Sequence, residues 1–161
     1  SSGIGLETAL RIGEAGGEVI LVSPGGGERL TLGPAEGSIK AGGQDALGSL
    51  TVMDVVAGPG FPGPVLHRHM AMVDSFYVLD GILTLHIGGR EVEAPAGSYA
   101  FVPPGNDHTF SNPRGEPVRT LNIMAPGGLE QYLKEVATES GGPPDPETMA
   151  RIASKYDFVA A

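Results

Sequence analysis

Four histidines occur in the 161 residues, His67, His69, His86 and His108, and two of them form the pattern His67-Arg68-His69. In a strand, residues two apart face the same way, so both imidazoles project into one interior from neighbouring pleats. That arrangement is a ready pair of metal ligands. Asp74 follows His69 by five residues, far enough for the chain to turn or bulge and bring a carboxylate to the same face. Further on come Gly97, then Pro103-Pro104-Gly105, then His108 and Asn112. The Pro-Pro-Gly turn aims the next strand, and His108 at its head is placed to complete the site.

Residues so far apart in sequence need a scaffold of many short elements. A chain of this length is about one domain's worth, enough to bury one core. Hydrophobic residues make up 40% of the sequence and are spread along it, so the 26 glycines and 14 prolines read as turn residues. Between them lie β-type runs at Glu18 to Val22, Leu50 to Val56, Phe76 to Leu79, Leu83 to Ile87, Tyr99 to Val102 and Val118 to Met124. Leu83, Leu85 and Ile87 alternate with Thr84 and His86, and Gly88-Gly89 then turns the chain into Arg90 to Glu93 as a hairpin. Gly25-Gly26-Gly27 reads as another hairpin turn. The last forty or so residues change period: Leu129, Leu133 and Val136 fall at helical spacing, and Met149, Ile152, Ala153 and Tyr156 form a second set. Two short amphipathic helices are expected, separated by Gly141-Gly142, the second capped by Asp145 with Pro146 at its first position.

Charge and composition narrow the partners. A net charge of −9 argues against nucleic acid, which needs clustered Lys and Arg, and against acidic lipid surfaces. No run approaches the roughly 18 apolar residues that span a bilayer, and the first residues show no basic stretch followed by an apolar core. The expectation is a soluble, cytoplasmic protein. With no cysteine, thiolate ligands and disulfides are ruled out.

The two histidine segments resemble the paired motifs of the cupin superfamily. His67, His69, Asp74 and Gly81 match the first motif, and Gly97, Pro103, Gly105, His108 and Asn112 match the second, with a 15-residue spacer typical of small bacterial cupins. Ser49 to Val56, the Gly-Pro-rich approach to His67, and Ala125 to Glu130 resemble the single-domain cupins often labelled quercetin dioxygenase-like. The resemblance covers residues about 37 to 135. Two departures stand out. The glycine expected six positions before the first histidine is displaced, with Gly60 and Gly63 flanking that place, and Asp74 stands where the family has Glu. Aspartate is one methylene shorter, so either the backbone moves inward or the carboxylate reaches the metal through water.

The resemblance implies an all-β jelly-roll barrel with two short C-terminal helices. Its parts are an N-terminal arm and strands at 1–36, a barrel core at 37–126 and the helices at 127–161, together one structural domain. It also implies one divalent metal ion held by His67, His69, His108 and Asp74, and a homodimer formed through sheet edges or an exchanged N-terminal strand. Three imidazoles and one carboxylate on a six-coordinate ion leave two positions open, and Fe, Mn, Ni, Co, Cu and Zn all accept such ligands. The leading expectation is a dioxygenase of a small enol or phenolic, flavonol-like substrate. In it Asp74 doubles as general base and Phe76, Val78, Phe110 and Asn112 line the substrate pocket. The alternatives are a non-oxidative isomerase or polyketide-type cyclase, and a non-catalytic binding cupin. Plainer readings stand beside these. Phe76, Val78 and Phe110 are first of all barrel core, Asn112 is a strand-end hydrogen-bonding residue, and His86 is solvated or at an interface. Met70 and Met72 serve either the pocket mouth or dimer packing.

Overall fold

Runs of residues that alternate between buried and exposed pair edge to edge along most of this chain. The computed structural model describes residues 27–138 and 145–161. The strand expected at Glu18 to Val22, Gly25, Gly26 and the Gly141-Gly142 break lie outside these residues. In chain order the strands are β1 (Glu28–Leu32), β2 (Ala35–Ala41), β3 (Thr51–Ala57), β4 (His67–Arg68), β5 (Val73–Asp80), β6 (Ile82–Ile87), β7 (Arg90–Pro95), β8 (Tyr99–Val102), β9 (His108–Ser111), β10 (Val118–Ala125) and β11 (Val159–Ala160). Helices α1 (Leu129–Thr138) and α2 (Pro146–Ala153) fall between β10 and β11.

Two antiparallel sheets result, one in the order β1-β2-β3-β10-β5-β8 and the other β11-β4-β9-β6-β7. This is the all-β jelly roll with two C-terminal helices that the sequence implied. β10 shows why it forms, since Val118, Thr120, Asn122 and Met124 alternate inward against exposed or half-buried neighbours. Between the sheets lie Phe76 and Val78 of β5, Leu83 and Leu85 of β6, Val102 and Val118, with Phe110 packed against them. Thr84, expected on a polar face, is buried as well. A second cluster joins Leu30, Ile39, Met53, Met72 and Met124 to Leu129 and Leu133 of α1. Met72 is thus core, while its neighbour Met70 is exposed.

The helices start as their sequences require. The Asp145 carboxylate accepts from the N–H groups of Glu147 and Thr148, each at 3.0 Å, with Pro146 following it. Glu130 of α1 is buried, and accepts from Gly43 N–H at 2.8 Å, Gly128 N–H at 2.9 Å and the Thr51 hydroxyl at 2.5 Å. It ties the 42–48 loop and β3 to the helix.

Glycine matters most on the approach to His67. Gly63 has φ +83°, and a Cβ there would drive into the Phe110 carbonyl oxygen, whereas Gly60, at φ +69°, faces open space. A left-handed backbone costs an L-residue about 1–2 kcal/mol, and at Gly63 a backbone clash adds to it. Gly63→Ala is therefore expected to lower unfolding free energy in urea by more than about 2 kcal/mol, and Gly60→Ala by only the left-handed penalty of about 1–2 kcal/mol. Equal losses from the two variants would show that the close approach of Gly63 to β9 is not maintained.

Candidate metal centre

β4 and β9 lie side by side, and their pairing sets His67 directly opposite His108. Asp74 comes from the other sheet, in β5, between Met124 of β10 and Val102 of β8. The site thus bridges the two sheets at one end of the apolar core. His69 was expected to share a strand with His67, but β4 ends at Arg68 and His69 follows it. The cause is local. The N–H groups of Met70, Ala71 and Met72 bond to the Asp157 carboxylate at 2.6, 2.9 and 2.8 Å instead of to a neighbouring strand. Both imidazoles still turn inward and are buried.

His67, His69, Asp74 and His108 each offer a ligand atom, and these atoms lie within 4.8 Å of one another. The short aspartate therefore reaches the cluster. Each ring is oriented by the same device: Nδ1 donates to a backbone carbonyl, that of Val65 for His67 (2.8 Å), of Asn106 for His108 (3.0 Å) and of Asp157 for His69. A carbonyl can only accept, so the proton of each neutral ring sits on Nδ1 and the lone pair on Nε2. Nε2 of His69 is buried without a hydrogen-bond partner among the described residues. A buried acceptor beside two other imidazoles and a carboxylate could serve as a ligand to a cation. The donor set fits a divalent metal, with nitrogen and oxygen ligands of the kind first-row metals take.

Electrostatics agree. Burial holds His67 down to about 4, with His108 and His69 adding to the effect against the Val65 bond. His69 is likewise lowered, chiefly by burial. His108 goes the other way: burial opposes its charge, but Asp74 Oδ2, 3.3 Å from Nε2, and the Asn106 carbonyl outweigh it and raise the pKa. A cation bound at Nε2 would therefore compete with a proton more strongly at His108 than at His67 or His69.

Three residues not singled out from sequence complete the surroundings. Asn122 of β10 donates to Asp74 Oδ1 at 2.5 Å and to the Ser75 carbonyl at 3.1 Å. A polar residue in the inward phase of an otherwise regular strand was the available signal. Asp157 is held ionised below the usual carboxylate range, since its three backbone N–H bonds outweigh partial burial. Phe158 stacks on the His67 ring, with centroids 4.3 Å apart and planes at 12°, and on Tyr132 at 4.7 Å. No sequence spacing announces either contact.

Among the other expected residues, Phe76 and Phe110 meet at 4.9 Å between centroids, with Val78 fully buried beside them in the core. The Asn112 amide donates to the carbonyls of Ala57, Gly58 and Glu116, and its oxygen accepts from Arg114 N–H. It ties the end of β3 to the connection between β9 and β10, and contact with a substrate would require breaking these bonds. His86 sits apart, partly exposed, 3.6 Å from the Glu91 carboxylate.

Comparison with known proteins agrees with this geometry. Residues 53–124 match the cupin domain family, and no curated protein sequence matches the chain significantly. Among solved structures, similarity is found to a predicted oxalate decarboxylase from Thermotoga maritima, with 21% identity, 61% of this chain and 90% of that one covered, and TM-score 0.56. A cupin-superfamily sugar phosphate isomerase from Silicibacter pomeroyi gives 22%, 66%, 75% and 0.57 for the same quantities. The polyketide cyclase RemF from Streptomyces resistomycificus gives 19%, 66%, 79% and 0.58. At these identities the likeness is one of fold. The family match identifies residues 53–124, the greater part of the described barrel, as a cupin domain.

The pKa directions predict an acid sensitivity. Groups lowered in the fold, His67 and His69, leave the unfolded chain to take up protons first, so the stability they contribute is present above 6.5 and is lost as pH falls through their folded values. His108, raised, contributes stability below 6.5 that is lost as pH rises through its folded pKa. For His67, a drop from 6.5 to about 4 corresponds to roughly 3 kcal/mol at about 1.4 kcal/mol per unit. Thermal unfolding of metal-free protein between pH 7 and 4 should therefore decline less steeply in His67→Gln than in the parent. Parallel profiles would show that His67 is not held neutral.

Proposed function

We propose that this cupin is a metal-dependent enzyme, first of all a dioxygenase, acting on a small enol or phenolic substrate of flavonol type. The carrying observation is the buried convergence of one ligand atom from each of three imidazoles and one carboxylate, all within 4.8 Å of one another. His67, His69 and His108 would hold the ion, with Asp74 as fourth ligand. A divalent ion in that position supplies Lewis-acid polarisation of a substrate oxygen and, for a redox-active metal, a partner for dioxygen.

The chain's own groups do the rest. Asn122 pins Asp74 Oδ1, which leaves Oδ2, now facing His108, to take the proton of the substrate hydroxyl. The substrate is left as enolate or phenolate. In this reading Phe76, Val78 and Phe110, which pack together in the core, would supply the apolar wall that keeps water from that anion. A homodimer remains part of the reading, supported by β8, the outer strand of the larger sheet, which exposes Tyr99 and Phe101. The cytoplasm, expected from composition, is the proposed location. Among the described residues no helix is long and apolar enough to cross a membrane.

A second reading, a non-oxidative isomerase or cyclase, draws on the likeness to the polyketide cyclase and the sugar phosphate isomerase. It uses the same ligands and the same proton acceptor without dioxygen.

Purified protein loaded with each candidate metal should bind one equivalent, and His69→Ala and His108→Ala should each abolish stoichiometric binding. Loaded protein should consume dioxygen with a flavonol or ene-diol, and Asp74→Ala should slow turnover more than it weakens substrate binding. Stoichiometric metal in both histidine variants would place the ion elsewhere. Bound metal with no dioxygen uptake across a substrate panel, but with anaerobic turnover, would select the second reading.

A further inference from the structure

The segment from Asp157 to Ala161 lies along the first histidine pair for its whole length. Val159 and Ala160 of β11 pair with Arg68 and His67 of β4, and Ala161 N–H donates to the Leu66 carbonyl at 2.9 Å. Phe158 covers the His67 ring. Asp157 acts twice, through its backbone carbonyl on His69 Nδ1 and through its carboxylate on the N–H groups of residues 70 to 72.

These two contacts belong together. The link from His69 to Asp74 leaves the ladder after β4, so three consecutive N–H groups have no strand partner, and the Asp157 side chain satisfies all of them. By gripping that link, the carboxylate holds its own carbonyl against the His69 ring. The carbonyl then decides which ring nitrogen carries the proton. His67 and His108 take the same instruction from residues two positions away in their own loops, Val65 and Asn106. His69 takes it from a residue 88 positions away. Asp157 is partly exposed, and Lys155, two positions before it, pairs with Glu135.

We infer that Asp157 is a positioning residue of the centre, which sets the tautomer and orientation of His69 so that its Nε2 faces the other ligands. As a statement about metal binding the inference rests on the proposed metal-site reading, while its claim about the His69 proton stands independently. Asp157 is not one of the four ligand residues, and acts through His69 and the link that follows it. Groups that orient metal-bound histidines typically change metal affinity about 10- to 100-fold when removed, and that range is expected here.

The test uses the full chain and two variants. Asp157→Ala removes every side-chain acceptor. Asp157→Asn keeps the shape and one acceptor oxygen while facing an NH2 group toward backbone donors, so it serves if the alanine variant folds poorly. Nitrogen-15 NMR of the imidazoles in metal-free protein should show His69 as the Nδ1–H tautomer in the parent and a mixture in the variants, with His67 and His108 unchanged. Competition of zinc or cobalt against a chromophoric chelator should show affinity about 10- to 100-fold weaker. An unchanged His69 tautomer in a folded variant overturns the inference, whatever the metal result. A tautomer shift with undiminished metal affinity overturns its role at the centre. If the parent binds no metal while the tautomer still shifts, the metal-site reading falls and the role of Asp157 toward His69 stands.

Discussion

Three imidazoles and a carboxylate crowd into one buried cup, and everything around them answers the problem this creates. Burial penalises the charged ring, and a buried ring nitrogen with no partner is itself unfavourable. The structure resolves half of the problem by bonding every Nδ1 to a backbone carbonyl. That choice turns Nε2 toward the cup, where His108 meets Asp74 and the buried His69 Nε2 has no partner among the described residues. The barrel tolerates this because its two sheets hold the ligands independently. β4 and β9 fix one edge of the cup, and β5, braced by β10, fixes the other.

Asp74 shows how the same constraint shapes a departure from the family pattern. A side chain one methylene short would sit back from the cluster unless its direction were enforced. The Asn122 amide enforces it from the neighbouring strand, holding one oxygen so that the other meets His108. A glutamate in this place would carry a further rotatable bond, and Asn122 would then have to grip a longer and more mobile group.

How far the sequence could be read follows from the range of each interaction. The motif histidines, the strands of the barrel and the capped start of α2 were legible because strand alternation, turn residues and Asp145-Pro146 act over a few residues. The ends of β3, β5 and β10 shift by one to three residues from the expected runs, as pairing with neighbours sets them. β1 falls among the N-terminal strands expected at 1–36, though no run was named for it, and β2 was not anticipated. Ala35–Ala41 holds one β-branched residue, Ile39, and becomes a strand because β1 and β3 flank it. Asn122 carried a signal, a polar residue at an inward position, that passes unnoticed without the strand across from it. Asp157 and Phe158 carried none, because their partners lie near His67 and His69 and no periodicity connects the two regions.

That last separation bears on synthesis. A ribosome adding about 5–20 residues each second delivers His67 and His69 well before the 88 residues that lead from His69 to Asp157, an interval of roughly 4–18 s on that rate. During translation the nascent chain can bring its histidines together, but the His69 ring still lacks the carbonyl that settles its proton. On the proposed metal-site reading, ion capture by the growing chain would be handicapped against capture by the finished one. Loading would then be coupled to completion of the fold, an ion meeting a preformed socket and not a flexible chelating peptide.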